Sequence, residues 1–207
     1  SIVGSVPYFG LLTDEGRKAD WIVEVKTSRK PEAQLLGSAI GMKVMEKVPY
    51  VIGLDKYFSS LDDDAKAYLK DFGAATASNG AVGLYHIENL TPEAVDLGRT
   101  LIKENAPTYV IDDEELERIE KGYPIIWKDK GATPKLAFIG CPHLSRAQLS
   151  SWSKRIHESL KAKGKDKVSI KTIMTAAPAV MEEFKKTEEG KRLLKEGVVL
   201  SHIRPLM

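Results

Sequence analysis

The stretch that decides the fold is LAFIGCPHLS, residues 136–145. Its first four residues are apolar and of strand length, whereas residues 140–144 contain a glycine and a proline, which are typical of a tight loop. Ser145 then offers a side chain that is favoured at helix N-termini. The pattern predicts a buried strand, a loop and a new helix. Because open α/β sheets place their chemistry at the carboxyl ends of strands, this loop is the first candidate site.

The same alternation of apolar, strand-length runs with amphipathic, helix-length runs continues along the whole chain. Strands that alternate with helices favour mostly parallel sheets with right-handed crossovers. Since the strands are almost continuously apolar, we expect helices to cover the sheets on both faces. The sequence therefore predicts an α/β protein with strands near residues 21–25, 50–54, 81–87, 109–111, 135–140, 168–174 and 198–201.

The composition limits the classes of partner. The chain has 207 residues, of which 29% are charged, and a formal net charge of +2. This near balance argues against nucleic acid or an anionic membrane as the main partner. No apolar run approaches the ~18 residues that a membrane span needs. The single cysteine cannot form an internal disulfide. The first residues lack the basic and long apolar segments of a secretion signal, so we expect a reducing, cytoplasmic setting.

Three interpretations of the only cysteine, Cys141, are open on the sequence alone. The residue is a metal ligand, a nucleophile or a small buried side chain at a strand end. His143, two positions later, is either a partner of the thiol or an ordinary loop residue. Ser145 is most simply a helix N-cap, with Gln148 as its capping-box partner.

Other candidate groups have simpler structural explanations. His86 follows the apolar run 82–85 at the predicted carboxyl end of a strand, where a structural histidine is the default. His157 is predicted to be a surface residue in the middle of a helix. The lysines at positions 161, 163, 165 and 167 are interpreted as a solvated turn rather than a phosphate site. The sequence has neither a Gly-rich phosphate loop nor a second cysteine for a zinc site.

Three segments together resemble the large subunit of the aconitase X family. They are GSVPYFG at residues 4–10, GAVGLYH running on to LTPEA within residues 80–94, and GCPHLS at residues 140–145. Their order and spacing are those of the family, and the last segment is the most specific. The resemblance extends over nearly the whole chain and places it in the middle portion of the longer family subunit.

The resemblance implies a reaction class. Members of the family are iron–sulfur hydro-lyases, of which one branch dehydrates mevalonate 5-phosphate in archaeal isoprenoid synthesis and another dehydrates cis-3-hydroxyproline. The Lys-rich composition favours the archaeal branch. The resemblance makes Cys141 one of three thiolate ligands of a 4Fe–4S cluster whose fourth iron site is open to a hydroxylated acid substrate. An exposed iron is suited to withdraw the leaving hydroxyl as a Lewis acid.

The resemblance also implies an architecture and further site residues. It predicts two aconitase-like, three-layer α/β/α subdomains, at residues 1–107 and 108–207, with the cluster in a cleft between them. In that cleft His143 is expected to be a polar group near substrate or cluster, and Ser145 with the amides behind it to hold a substrate anion. His86 is expected to face the cleft from the first subdomain. A separate small subunit is expected to close the site.

The cysteine count departs from the family pattern. The family has a second ligand just after a strand such as 198–200, where this chain has Arg204 and no cysteine. One thiolate cannot hold a cubane cluster, so either the other ligands lie on further polypeptide or the protein carries no cluster. The chain alone is predicted to be inactive. Two alternatives are a cluster-less α/β binding or scaffolding module and an enzyme with Cys141 as nucleophile.

Overall fold

The computed structural model describes residues 4–124, 126, 128–129 and 131–203. The chain divides into two compact units, Ser1–Ile125 and Ile126–Met207. The structure thus places the boundary later than the prediction at residues 107 and 108. The reason is strand pairing, since Thr108–Ile111 hydrogen-bonds to Trp21–Val25 and is therefore part of the first unit.

A four-stranded parallel sheet forms the centre of the first unit. Its strands are β1 (Trp21–Val25), β2 (Pro49–Ile52), β3 (His86–Ile87) and β4 (Thr108–Ile111). The strand order is β3-β2-β1-β4, so the chain steps in one direction for three strands and then returns to the far side of β1. Val23 in β1 pairs with Val51 and Tyr109 in its two neighbours and is completely buried.

The third strand is much shorter than the predicted run 81–87. The preceding helix continues to Gly80, and Ala81 caps it in the left-handed conformation, with φ of 62°. Only His86 and Ile87 pair with β2. Val82 is nevertheless buried in the core. The predicted length of this strand is therefore wrong, because a buried connecting segment and a buried strand have the same apolar residue pattern.

The described part of the first unit contains four α-helices with well-defined starts. They are α1 (Ala33–Val44), α2 (Asp63–Gly80), α3 (Pro92–Leu97) and α4 (Asp113–Gly122). The Asp62 carboxylate accepts the N–H of Ala65 at 2.9 Å, and the Asp112 carboxylate accepts that of Glu115 at 2.8 Å. Each such cap contributes about 1 kcal/mol to helix stability.

Close packing of α1 against α2 requires glycine. A Cβ atom at Gly37 would lie 2.5 Å from the carbonyl oxygen of Phe72, and one at Gly41 would lie 2.7 Å from that of Thr76. Because residues four apart lie on the same face of a helix, the two glycines form one flat contact strip. Any larger side chain on this strip would have to push α2 away.

Hydrophobic clusters cover the first sheet on both sides. Val51 of β2 belongs to a cluster with α1, α2 and α4, which includes the buried Leu36 and Phe72. The adjacent Tyr50 belongs to a second cluster, which includes Ala94 of α3. Neighbouring strand residues point to opposite faces of a sheet, so the two clusters lie on opposite faces. The predicted helical cover on both faces is confirmed for this unit.

In the second unit, the described residues form a three-stranded parallel sheet with three helices. Its elements are β5 (Leu136–Leu144), α5 (Arg146–Ala162), β6 (Lys171–Ala176), α6 (Pro178–Lys186), α7 (Glu188–Lys195) and β7 (Val198–Ser201). The strand order is β5-β6-β7, and one core cluster joins Leu149, Phe184 and Leu193 from the three helices. Parallel sheets flanked by helices, as predicted, are thus confirmed. None of the helices in the described part of the chain is long and apolar enough to cross a membrane.

A polar contact ties α5 to the segment before β7. His157 Nδ1 lies 2.6 Å from Oε1 of Glu196, whose residue is only 7% exposed. His157 is therefore not the plain surface residue that its mid-helix position suggested. The contact gives a buried carboxylate one of the hydrogen bonds that its burial requires.

Candidate functional site

The segment that contains Cys141 is a bulge in β5. Ile139 pairs with Met174 and Leu144 pairs with Ala176, so β5 takes five residue steps where β6 takes two. Residues 140–143 therefore leave the regular ladder, as the extra residues of a bulge do. Cys141 is exposed on this bulge. The interpretation of Cys141 as a buried structural residue is wrong, and those that require an accessible thiol remain.

Gly140 and Thr175 form the base of the bulge. Gly140 has a φ of 125°, a conformation that L-residues avoid. A Cβ atom there would meet the Thr175 side-chain oxygen and would lie 2.7 Å from its carbonyl oxygen and 3.0 Å from its nitrogen. The Thr175 hydroxyl, which is completely buried, donates to the Gly140 carbonyl oxygen at 2.5 Å. The position of the thiol is thus set by one glycine and one threonine.

Ser145 starts α5 as predicted. Its Oγ accepts the N–H of Gln148 at 3.2 Å, and the Gln148 side chain accepts the N–H of Ser145 at 2.9 Å. The capping box is therefore confirmed. The hydroxyl proton of Ser145 is not used in this pair, which leaves Ser145 a donor for an anion at the helix start. Its role in binding substrate stays a prediction.

His143 lies on the same bulge, two residues beyond Cys141. It is half-buried, and its Nε2 atom has no contact with solvent. The structure thus brings Cys141, His143 and Ser145 together at the carboxyl end of β5 within the second unit. The predicted role of His143 near substrate or cluster stays a prediction.

His86 lies in the first unit and in a different environment. It is the first residue of β3, so its predicted position at the carboxyl end of a long strand is wrong. The side chain is 1% exposed, and its Nε2 donates to the carbonyl oxygen of Arg17 at 2.8 Å. Its Nδ1 lies 3.7 Å from Oε2 of Glu93. These contacts are those of a structural histidine, and its catalytic role stays a prediction.

An ion pair next to His86 holds this region together. The Arg17 guanidinium donates to both carboxylate oxygens of Glu93, at 2.5 and 2.7 Å. These hydrogen bonds lower the pKa of the Glu93 carboxyl, against the opposing effect of desolvation. Arg17 also donates to the Leu11 carbonyl oxygen at 2.9 Å, which attaches the N-terminal segment to α3 through Glu93.

The donor set for a 4Fe–4S cluster is incomplete in this chain. The sequence has one cysteine, and the residues that the structure describes contain no group of three or more His, Cys, Asp or Glu placed to hold a metal ion. A cubane cluster is usually held by several cysteine thiolates. The residues present do not by themselves fit the cluster. Arg204, the candidate replacement for a ligand, lies outside the described residues.

Strand register brings two hydroxyl residues, Thr175 and Ser201, together at the same edge of the sheet. Thr175 in β6 pairs with Ser201 in β7, one strand further from the bulge. The Ser201 hydroxyl donates to the Ile203 carbonyl oxygen at 3.3 Å and accepts the Ile203 N–H at 3.1 Å. The signal was present in the sequence, since each residue follows an apolar strand core. Only strand register shows that they are neighbours.

The fold and the bulge together define a parallel α/β protein with an accessible thiol at the carboxyl edge of a sheet. A family model described as the aconitase X second domain matches residues 19–121. The match ends within α4, close to the end of the first unit. The chain belongs to the aconitase X family.

Relatives with known names support the same family. The large subunit of phosphomevalonate dehydratase from Thermococcus kodakarensis is 34% identical over 182 residues, which cover 87% of this chain and 42% of the relative. The protein of the same name from Methanosarcina mazei is 32% identical over 79% of this chain and 36% of its own length. A cis-3-hydroxy-L-proline dehydratase from Hypocrea jecorina is 29% identical over 82% of this chain and 28% of its own length.

A solved structure agrees with these sequence relationships. The holo-form of Thermococcus kodakaraensis aconitase X matches with a TM-score of 0.74 and 29% identity, over 97% of this chain and 47% of the solved chain. The chain thus spans less than half the length of the relatives that it matches.

Proposed function

We propose that the chain is part of an aconitase X-type hydro-lyase that removes water from a hydroxylated carboxylic acid. The observation that carries the proposal is the exposed Cys141 on the bulge in β5. A thiolate at the open edge of a parallel sheet is accessible both to a metal cluster and to a small acid. The reducing cytoplasm would keep this thiol available.

Mevalonate 5-phosphate is the proposed substrate. Relatives named phosphomevalonate dehydratase are 34% and 32% identical to this chain over most of its length. The hydroxyproline dehydratase is 29% identical over a similar stretch. The two phosphomevalonate dehydratase relatives are named large subunits, so we also propose a separate small subunit as partner.

Within this site we assign different roles to three residues. Cys141 is one thiolate ligand of a 4Fe–4S cluster, and the remaining ligands must come from other polypeptide because the sequence has one cysteine. Ser145 and the first amides of α5 bind a substrate anion, which a helix N-terminus favours. His143 is a polar neighbour of substrate. His86 has no part in the proposal because its two ring nitrogens face Arg17 and Glu93.

A chimera tests the proposal. This chain replaces the matching residues of the Thermococcus large subunit, and the protein is reconstituted with iron, sulfide and the small subunit. We expect dehydration of mevalonate 5-phosphate, which Cys141→Ala abolishes. Ser151→Ala is the matched control, since Ser151 is exposed on α5 and should not affect turnover. An active Cys141→Ala chimera would contradict the assignment of the thiol.

The isolated chain provides a second test. With one thiolate it should neither hold a stable cluster after anaerobic reconstitution nor form product. Product from the isolated chain would show that no further ligands are needed.

A cluster-less binding or scaffolding module is the alternative function. The single cysteine and the incomplete donor set among the described residues favour it. The chimera separates the two functions. A folded chimera that assembles with the small subunit, yet lacks both cluster absorption and activity, would support the module.

A further inference from the structure

A basic groove lies on α5 in the second unit, away from the Cys141 bulge. It encloses about 480 Å³ between one face of α5 and the segment that leads into β6. Ser169 and Ile170 of this segment directly precede β6, so the groove is at the amino edge of the sheet, whereas Cys141 lies on the bulge near the carboxyl end of β5. The residues that define the groove are Trp152, Arg155, Ile156, Ser159, Lys163 and Lys165.

The charges of the groove are all of one sign. Arg155, Lys163 and Lys165 line it, and no Asp or Glu is among its lining residues. Within the described part of the chain, none of the three makes an ion pair, although ion pairs are frequent elsewhere. In the sequence, Lys161 and Lys167 flank the two lysines of the groove, and Asp166 is the acidic residue of this stretch. Uncompensated charge of one sign in a concave surface attracts counter-ions.

The helix end explains only part of this cluster. Lysines in the last turn of a helix are favoured by its dipole, which accounts for Lys161 and Lys163. Arg155 is two turns earlier, and Lys165 lies beyond the helix end at Ala162. The interpretation of the lysines as a solvated turn therefore does not account for Arg155 and Lys165, which both line the groove.

An apolar and aromatic wall forms part of the groove lining. Trp152, Ile156 and Val168 are half-buried and pack against the core of the second unit. The Arg155 guanidinium lies over the Trp152 ring, 4.6 Å from its centroid. Ser159 adds a hydroxyl to the lining. A volume of this size is typical of small-molecule sites, which range over roughly 300–1,000 Å³.

We propose that the basic groove binds a nucleoside diphosphate or triphosphate. Lys163 and Lys165 fit the phosphates, for which Lys and Arg are the usual ligands. The Arg155 plane, which lies over the Trp152 ring, and the Ile156 side chain fit a flat base, which stacks on aromatic and guanidinium surfaces. Inorganic phosphate alone would leave this wall and most of the volume unused. The site is distinct from the thiol and does not depend on the proposed dehydratase function.

Isothermal titration of the whole chain with ADP and ATP tests the proposal. We expect saturable binding of one nucleotide per chain and a change in Trp152 fluorescence that the Trp152→Phe variant lacks. The double variant Lys163→Gln/Lys165→Gln should bind at least about tenfold more weakly, because charge-assisted contacts to phosphate are lost. The control Lys186→Gln/Lys195→Gln removes the same charge from exposed positions, neither of which forms an ion pair with any residue that the structure describes, and it should bind like the wild type.

Three results would overturn the proposal. The first is no binding of either nucleotide at millimolar concentration. The second is equal weakening in the test and control variants, which would indicate diffuse charge attraction. The third is binding of pyrophosphate as tightly as ADP, which would leave no role for the apolar wall. Cys141→Ser should bind nucleotide like the wild type, because the groove and the thiol are separate sites. A failure of the nucleotide proposal therefore does not count against the dehydratase proposal.

Discussion

Replacement of Gly140 by alanine tests how the bulge presents Cys141. The backbone at Gly140 has a φ of 125°, and a non-glycine residue held in such a region costs of order 1–3 kcal/mol. The new methyl group would also lie 2.7 Å from the Thr175 carbonyl oxygen. β5 must then move away, which weakens the hydrogen bond from Thr175 to Gly140 at a cost of about 1 kcal/mol. We expect the free energy of unfolding to fall by about 2–4 kcal/mol.

Urea unfolding followed by circular dichroism measures this change. Gly122→Ala is the matched control, because its Cβ would have no heavy atom within 4 Å and should change stability by less than about 0.5 kcal/mol. Thr175→Ala in the Gly140→Ala background removes one clash but leaves the main-chain contacts at 2.7 and 3.0 Å. It should therefore recover little stability. Equal stability of Gly140→Ala and Gly122→Ala would refute the reasoning, since the bulge would then relax without cost.

Three further substitutions test contacts elsewhere in the chain. Hydrogen bonds from Arg118 hold the pKa of Glu115 at about 2, below its ordinary 4.5. The ion pair with the exposed Arg118 stabilises the fold by about 1 kcal/mol, and this effect is complete above pH 4.5 and lost as the pH falls towards 2. The urea midpoints of wild type and Glu115→Gln should therefore converge in acid. His157→Ala removes the donor to the buried Glu196 carboxylate and should cost about 1–3 kcal/mol in urea unfolding. Gly41→Leu should separate α1 from α2 and lower the melting temperature more than the other two substitutions. The reason is that the new side chain would clash with the main-chain carbonyl oxygen of Thr76.

Each of these substitutions has a control or a contradicting outcome. A stability difference between wild type and Glu115→Gln that stays constant from pH 6 to pH 3 would contradict the depressed pKa. Glu158→Ala, one residue from His157, removes only an exposed contact to Lys154 at 3.9 Å and should be neutral. A Gly41→Leu protein that melts like the wild type would show that the helices separate easily.

Local signals predicted much of the fold correctly. The capping box at Ser145 and the proline that opens α6 were readable because they act within a few residues of the chain. The strands β1, β6 and β7 were found because a buried strand needs a continuous apolar run. The prediction of a strand over residues 81–87 was wrong because Val82 is buried in a connecting segment, which has the same apolar pattern as a buried strand.

Long-range pairing explains the other differences. The boundary moved from residue 107 to Ile125 because β4 pairs with β1 across more than eighty residues of sequence, and no local signal records that pairing. His86 was placed at a strand end on the basis of its apolar neighbours, whereas its ring contacts Arg17, 69 positions away. Such contacts depend on the topology of the whole unit.

The sequence by itself determined the α/β class, the helix and strand positions in most segments, and the aconitase X resemblance around Cys141. These features depend on residues close together in the chain, where side-chain type and spacing fix the backbone directly. Only the tertiary structure decided that the Cys141 thiol is exposed, that Gly140 and Thr175 set its position, and that Arg155, Lys163 and Trp152 enclose a groove. Exposure and enclosure arise from strand register and helix packing, which bring together residues that no local pattern connects.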